Sequence, residues 1–516
     1  MTQPTVDYGG RTLPVIGAYD VAVVGGGSAG SACAIRCAQL GLSVVVIDRY
    51  AMLGGSATNA TVCPMMPTHV AHRGVFAQIE QELRASGEAT RDGTTAMLWF
   101  APERLGMVYE RLLTGSGGEV LYDAALVDVL DAPGAGSAAS AARGTGAGAL
   151  GADGDPDGHP DGATTGARAD GANTTGRPDD RAGAGDAGGA ARPAPRRLRH
   201  LVVMTAQGMV GVEAGVMVDA SGDAVLARLA GVPTRSGDEA GANQVCSLRF
   251  TMGGIDVDAY RDYCLSLGDE FSPLKSGFFF ESAMVAGRGF ALEPVFRQGV
   301  AEGLLSEGDL RYYQAFSVPG KPGVMAFNCP HIPSLVSNTT ARGRSAAIVE
   351  AHAAIGRLAR FLRVMMPGFS RSFLVGVAPM LGVRESWRID GVYRLTEQDY
   401  AHQARFDDGL VRGDWFIDVH SQSKGLFHQK GYQPGDYYEI PYRCFIAPQT
   451  SNLLVAGRCI STTFLMQASV RIIPTVIDMG DAVGCACALS AASGVPPLEL
   501  SGEEVRRFAD ASSPLG

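Results

Sequence analysis

The stretch Tyr19-Asp20-Val21-Ala22-Val23-Val24-Gly25-Gly26-Gly27-Ser28-Ala29-Gly30, continued by Ser31-Ala32-Cys33-Ala34-Ile35-Arg36, decides the fold class. The short apolar run Tyr19–Val24 suits a buried parallel strand. Gly25, Gly27 and Gly30 follow it directly in the pattern G-x-G-x-x-G, and the next residues read as a helix stopped by Gly41. A second strand, Leu42-Ser43-Val44-Val45-Val46-Ile47-Asp48, ends at Asp48. Strand, glycine turn, helix and strand together make a βαβ unit. Each glycine has a mechanical reason. Gly25 permits the tight turn, Gly27 lets bare main chain approach a pyrophosphate, and Gly30 lets the helix pack close to the sheet. The helix N-terminus offers unpaired N–H groups and the positive end of its dipole. Asp48, at the end of the second strand, is placed for the hydroxyls of an adenosine ribose. The unit therefore predicts dinucleotide binding.

Outward from this unit the chain divides by composition. From about Pro133 to Pro195 the sequence is almost wholly Gly, Ala, Asp, Pro, Thr and Arg, with Leu150 as its one leucine. Such a segment cannot bury enough apolar surface to offset its ordering entropy and is expected to be disordered. The segment before it reads as a strand and the segment after it as a hairpin followed by another strand. The insert is thus expected to lengthen a single hairpin connection, which costs little because closure entropy grows only logarithmically. The fold class expected is α/β: a Rossmann-like domain with a parallel sheet from residues 1–132, 196–235 and 441–516. An α+β substrate domain is expected over 236–440, besides the low-complexity insert at 133–195. Within the C-terminal block, Asn452–Gly457 reads as a strand and about Ile473 to Ser493 as a helix.

Composition narrows the partners. The 516 residues carry a formal net charge of −10, which argues against a nucleic-acid partner. The N-terminus shows no basic region followed by an apolar run, and Val21–Ala34 is broken by glycines and too short to span a bilayer. No other stretch looks better suited, so no membrane partner and a cytoplasmic location are expected. The ten cysteines are scattered without a C-x-x-C pair, and Cys33, Cys37, Cys485 and Cys487, in Ala-rich stretches, read as small core residues. No metal site is expected, since the histidines are dispersed and the acidic glycine-rich string around His159 lacks a calcium-loop pattern.

Several features favour FAD over NAD. The fingerprint is single and near the N-terminus. Gly54 and Gly55 follow Asp48 in a second glycine turn, Val218–Asp223 closes a strand with small residues, and Asn452–Arg458 runs into a long small-residue helix. On DVAVVGGGSAG, LGGSAT, VDASGDA, LGVRESWRIDGVYRLTEQD, IPYRCFIAPQTSNLLVAGRCIS and SVRIIPTVIDMGDAVGCACAL, the chain resembles the FAD-dependent oxidoreductases of the glutathione-reductase-like flavoprotein superfamily, over most of its length outside the insert. The resemblance implies non-covalent FAD, with Gly25, Gly27 and Gly30 at the pyrophosphate and Asp48 at the ribose. It puts Gly54, Gly55 and Ser56 along the flavin chain, the Val127 main chain at the adenine, and Ala220 and Gly222 beside the nucleotide. Gly457, Arg458, Met479 and Gly480 would approach the ribityl and ring. Ser28 and Arg49 complete the cofactor-binding candidates. Cys63 and His69 are conceivable points of covalent attachment. The chain departs from relatives at Phe464-Leu465, where they carry His-Glu, and at Gly480–Gly484, where they read G-Q-A-A-G. It departs again at Trp387-Arg388, where they tend to have Arg-Arg.

The chemistry expected is hydride transfer from a small organic substrate to FAD, with oxygen or another acceptor taking the electrons. Such a step needs a group that handles a proton beside the reacting carbon. His420, in a strand-like stretch ending in a polar loop, is the first catalytic candidate, and an ordinary loop histidine is its alternative. His331 has the same two readings. Arg384 either clamps a substrate carboxylate through a bidentate pair or forms a structural ion-pair network with Glu385. Two further readings stay open: a flavin monooxygenase fed by NAD(P)H and oxygen, and a protein that binds FAD without turnover.

Overall fold

A computed structural model describes residues 4–91, 97–132, 194–268, 280–333, 337–421, 425–428 and 431–515. The apolar run before the glycine turn lies in strand β1 (Arg11–Val24), and the helix after it is α1 (Ser28–Gln39). Strand β2 (Val44–Ile47) pairs parallel with β1, Val21 opposite Val44 and Val24 opposite Ile47. Next come β3 (Glu119–Leu121), β4 (Ala125–Asp131), β5 (Leu198–Thr205), β6 (Gly208–Asp219) and β7 (Leu453–Val455). Their order across the sheet is β3-β2-β1-β6-β5-β4, with Thr5–Tyr8 also on β1 and β7 also on β6. The β3-β2-β1-β6 run and the β6-β7 pair are parallel. Buried on both faces, Val21–Val24 and Val44–Ile47 carry no polar alternation, as parallel central strands require.

Strands β4 and β5 are antiparallel, Asp131 opposite Leu198 and Ala125 opposite Met204. The low-complexity stretch therefore joins two strands of one hairpin, as the flanking patterns predict. The expectation of disorder for the stretch itself falls on 133–193, outside the described residues. One detail differs. The strand expected after the second hairpin is the continuation of β6, whose first half pairs with β5 and whose second half runs between β1 and β7.

The C-terminal helix α2 (Ile473–Ser493) lies in the core against α1. Small residues make the close approach possible. A Cβ on Gly480 would stand 2.0 Å from the Ala29 carbonyl oxygen, and one on Gly484 would stand 2.8 Å from the Cys33 carbonyl oxygen. Arg36 on α1 reaches Asp481 on α2 through two bonds of 2.7 and 3.1 Å, and both residues are buried. The bidentate geometry offsets much of the cost of burying two charges. Contrary to the expectation that no stretch is fit to span a bilayer, α2 is long and apolar enough by length and composition; it is instead largely buried within the protein.

A second apolar cluster gathers residues between Cys246 and Val383. Its antiparallel sheet runs in the order Glu281–Met284, Tyr313–Ser317, Met325–Phe327, Phe250–Gly253, Phe373–Val377. The long helix Ala341–Met365 packs Ala347, Ala351, Ile355 and Leu358 into the same cluster, giving the α+β character expected of the middle block. Ile389, Leu395, Leu410, Tyr438 and Ile440 belong to the first cluster, so the chain has rejoined the first core well before residue 441.

Candidate cofactor cleft and active site

The glycine turn leaves main chain bare where β1 meets α1. Gly25 has φ +95°, and a Cβ there would lie 2.7 Å from the Ala220 carbonyl oxygen. Gly27 is the N-cap of α1, and no side chain caps that helix. The second glycine turn lies directly against the first: Gly27 and Gly54 form a parallel bridge, and a Cβ on Gly55 would stand 2.8 Å from the Gly27 Cα. Asp48 closes the end of β2. Its Oδ2 accepts from the Gly26 N–H at 2.6 Å and its Oδ1 from the Tyr50 N–H at 2.8 Å. Burial holds its pKa above the ordinary carboxylate value, against the pull of those two N–H groups.

These residues form one wall of a cleft of about 370 Å³. Of the expected cofactor-binding residues, Gly25, Gly27, Ser28, Asp48, Arg49, Gly54, Gly55, Ser56, Ala220, Gly222, Gly457 and Arg458 line it. Four do not. Gly30 lies beneath the turn, where a Cβ would stand 1.9 Å from the Gly25 carbonyl oxygen, so its part is to let helix and turn pack. Val127 is displaced by one position, since Ala124, Ala125 and Leu126 supply that wall. Met479 and Gly480 are buried in α2, and the first turn of that helix, Ile472, Ile473 and Val476, meets the cleft instead. Arg458 lines the cleft but spends its guanidinium on protein: Nε donates to the Gly222 carbonyl at 2.9 Å, Nη2 to Asp223 at 2.8 Å, and Nη1 to the Val383 carbonyl.

The near end of the cleft fits FAD. Two glycine loops form a cradle that side chains would fill. The uncapped start of α1 presents N–H groups and dipole to a diphosphate. Asp48 retains accepting capacity for ribose hydroxyls.

The far end is built by different elements. Arg249 precedes the strand Phe250–Gly253, Arg384 follows the segment that hydrogen-bonds to Ser247, and Arg471 sits between helix Phe464–Val470 and α2. All three line the cleft, with Trp415 and Asp418. Arg384 Nη1 donates to the Val245 carbonyl at 3.0 Å and Nη2 to His331 Nε2 at 2.9 Å. That bond makes His331 Nε2 an acceptor, and the ring lies stacked on Tyr312 with centroids 4.1 Å apart. Burial, then the Arg384 charge, drives the His331 pKa far below the ordinary value. Arg471 Nη2 donates to the Asp418 main-chain carbonyl at 3.1 Å and reaches Asp418 Oδ2 at 3.5 Å. Burial pulls Arg471 down to about 10 and, together with the Arg249 charge, pulls Arg384 down to about 10.

Of the catalytic candidates, Arg384 lines the cleft, whereas His420 and Glu385 do not. His420 stands one layer back. Its Nε2 is 3.3 Å from Asp418 Oδ2, its Nδ1 is buried without a partner, and burial with the Arg384 charge lowers its pKa to about 4. Glu385 is fully buried and accepts from the Gly237 N–H at 2.8 Å, from Asn243 Nδ2 at 2.8 Å and from Arg388 Nη1 at 2.5 Å. With its oxygens occupied, Glu385 is a structural partner of Arg388, and the supposed Arg384–Glu385 network does not form. Cys63 is also outside the cleft wall, though its neighbours Val62 and Pro64 line it, and burial pushes its thiol up to about 12. His69 is likewise outside the wall, its N–H donating to Asp414. Sequence reasoning passed over Arg249, Trp415, Asp418 and Arg471, although Arg471 lies in the stretch SVRIIPTVIDMGDAVGCACAL that carries the resemblance. It also separated Cys33, Cys37 and Cys487, whose buried sulfurs gather within 4.8 Å of one another between α1 and α2.

Parts of the chain are similar to known proteins. A stretch of 66 residues is 39% identical to dihydrolipoyl dehydrogenase of Trypanosoma brucei brucei, covering 12% of this chain and 14% of that enzyme. The chain thus spans about one seventh of the length of that relative. Among solved structures, p-nitrophenol 4-monooxygenase of Pseudomonas putida DLL-E4 superposes with a TM-score of 0.45 at 10% identity, over 95% of this chain and 84% of that one. A geranylgeranyl bacteriochlorophyll reductase-like protein of Thermoplasma acidophilum gives 0.41 at 12% identity, over 96% and 82%. The family described as FAD dependent oxidoreductase matches residues 20–162 and 186–508. The glycine cradle, the acid at the end of β2 and a family match over most of the sequence agree: the chain belongs to the FAD dependent oxidoreductase family.

Proposed function

We propose that this FAD-dependent enzyme oxidises a small organic molecule seated at the Arg384 end of the cleft, taking a hydride from it and passing the electrons to oxygen or another acceptor. FAD, held non-covalently by the glycine cradle and Asp48, supplies the two-electron acceptor. The observation that carries the reading is the continuity of the cleft. One cavity runs from Asp48 to Arg384, Trp415 and Asp418, so a substrate can enter the end that the nucleotide wall does not use. The proton released as the substrate loses its hydride is received at the Asp418 carboxylate. His420, neutral at pH 7 and 3.3 Å from Asp418 Oδ2, acts as the positioning residue behind it. Trp415 and Met380 keep water from that wall.

The test is anaerobic. The purified holoenzyme is titrated with candidate substrates while the visible flavin absorbance is followed. Bleaching by an organic substrate supports the reading. Bleaching by NADPH alone assigns the monooxygenase alternative, and a flavin that nothing bleaches assigns binding without turnover. His420→Ala slows bleaching at least about tenfold with FAD retained and shifts the pH profile of the reductive step. An unchanged rate and profile removes His420 from the mechanism.

A further inference from the structure

We infer that Arg249, Arg384 and Arg471 form a carboxylate-binding pocket, so that the molecule accepted at this end of the cleft is a small organic acid. As a statement about the substrate this rests on the hydride-transfer reading above; as a statement about binding it stands alone.

Charge is the first argument. Three guanidinium groups from three distant parts of the chain face one space. Among the described residues lining it near them, the carboxylate is Asp418, and it already bonds Arg471. The two imidazoles behind them, His331 and His420, are held neutral. Positive charge is therefore in excess in a place poor in water, which is costly unless an anion arrives.

Unspent donors are the second argument. Arg249 is 7% exposed, donates through Nη1 to the Thr61 carbonyl at 3.2 Å, and has a buried Nε without a partner. Arg471 Nε is buried and unpartnered as well. Buried polar atoms in folded proteins nearly always have partners, so two unsatisfied guanidinium Nε atoms on arginines that line one cavity show that the protein alone does not saturate this cluster. Arg384 is held in place by Val245 and His331, so its plane is already oriented before anything binds.

The shape of the donors names the class. A planar guanidinium matches a carboxylate with two parallel N–H bonds, and three of them around one cavity suit an anion with a compact head. The FAD diphosphate does not need them, since main-chain N–H groups at the start of α1 already serve it. Trp415 and Met380 add apolar wall, which suits an organic acid better than a bare inorganic ion.

The test uses holoenzyme and inert probes, so it is independent of turnover. Acetate, benzoate and malonate are compared with acetamide and benzamide by the flavin difference spectrum and by thermal unfolding. The carboxylates are expected to perturb the spectrum and raise the melting temperature, and the amides to do neither. Arg249→Gln and Arg471→Gln each weaken carboxylate binding at least about tenfold with FAD retained, and the Lys variants recover part of it. The pocket is overturned if no carboxylate binds at millimolar concentration, if the amides bind as well, or if the Gln variants bind as the wild type does. Should a Gln variant fail to fold or lose its FAD, the Lys variants and the carboxylate–amide comparison in the wild type still decide. Carboxylate binding with a flavin that no organic substrate bleaches sinks the hydride-transfer reading and leaves the pocket. Bleaching by a neutral substrate, with no carboxylate bound, does the reverse.

Discussion

Replacing Gly27 by Ala separates the seat of the cofactor from the integrity of the fold. Gly27 has φ −65° and ψ 178°, a conformation open to any residue. An added Cβ meets no protein atom nearer than the Ala220 carbonyl oxygen at 3.9 Å, and the free space beside it is the cleft. As an N-cap, Ala is poorer than Gly by about 0.5–1 kcal/mol. Removing the freedom of glycine from the unfolded chain returns about 0.4–1 kcal/mol. The two offset, so the apoprotein melts within about 2 °C of the wild type. In the holoprotein the methyl group stands where the diphosphate meets bare main chain. Overpacking of that kind costs about 1–3 kcal/mol, which is a loss of FAD affinity of roughly 5- to 150-fold. Gly25→Ala is the counterpart. Its φ of +95° and the 2.7 Å approach to Ala220 put the damage in the fold itself, so the apoprotein melting temperature falls. FAD titration by flavin fluorescence and apoprotein melting curves measure both quantities. If Gly27→Ala folds normally and binds FAD as tightly as the wild type, the cradle does not hold the diphosphate.

Asp481→Ala leaves the Arg36 guanidinium buried without its carboxylate, and should cost about 3–5 kcal/mol in urea unfolding; a loss under 1 kcal/mol (about the worth of a surface pair) would refute the buried-pair argument. Gly480→Ala places a Cβ 2.0 Å from the Ala29 carbonyl oxygen, so α1 and α2 must part at a cost of about 1–3 kcal/mol. Ala29 lines the cleft, so FAD affinity should fall with stability, and a drop in neither rejects the packing role. His420 has a folded-state pKa of about 4, below the ordinary 6.5. Its neutral ring therefore contributes stability that is complete above pH 6.5 and is lost as the pH falls toward 4. The shift corresponds to roughly 3 kcal/mol. His420→Asn should flatten the stability curve between those pH values, and parallel curves for variant and wild type would count against it.

The parts of the fold legible in the sequence are those with local signals. The βαβ unit shows because Val21–Val24 and Val44–Ile47 are buried on both faces and glycines stand between strand and helix. Helix α2 runs from Ile473 to Ser493, matching the pattern. The hairpin that carries the insert shows because strand patterns resume on both sides of a stretch that cannot form a core. Errors came where periodicity carries no information. Helix α2 is buried nearly all round, so its sequence does not say which turn meets the cleft; the resemblance points to Met479 and Gly480, whereas Ile472, Ile473 and Val476 line it. Val127 comes from the resemblance rather than from a pattern, and Ala124, Ala125 and Leu126, just before it, line the cleft. The arginine group was legible only at Arg384, whose sequence reading already includes a carboxylate clamp. Arg249 and Arg471 join it only through tertiary packing, which the sequence does not show.

The walls of the cleft come from Val24 near one end of the chain and Val476 near the other. Strand β1 cannot acquire its neighbour β6 until residues 208–219 exist, and the first turn of α2 arrives later still. During synthesis, then, the glycine loop is exposed long before anything can be held in it. Colour in this protein is a certificate of completion: a nascent or C-terminally clipped molecule stays pale, and the pigment adds its binding free energy only to chains that have already closed.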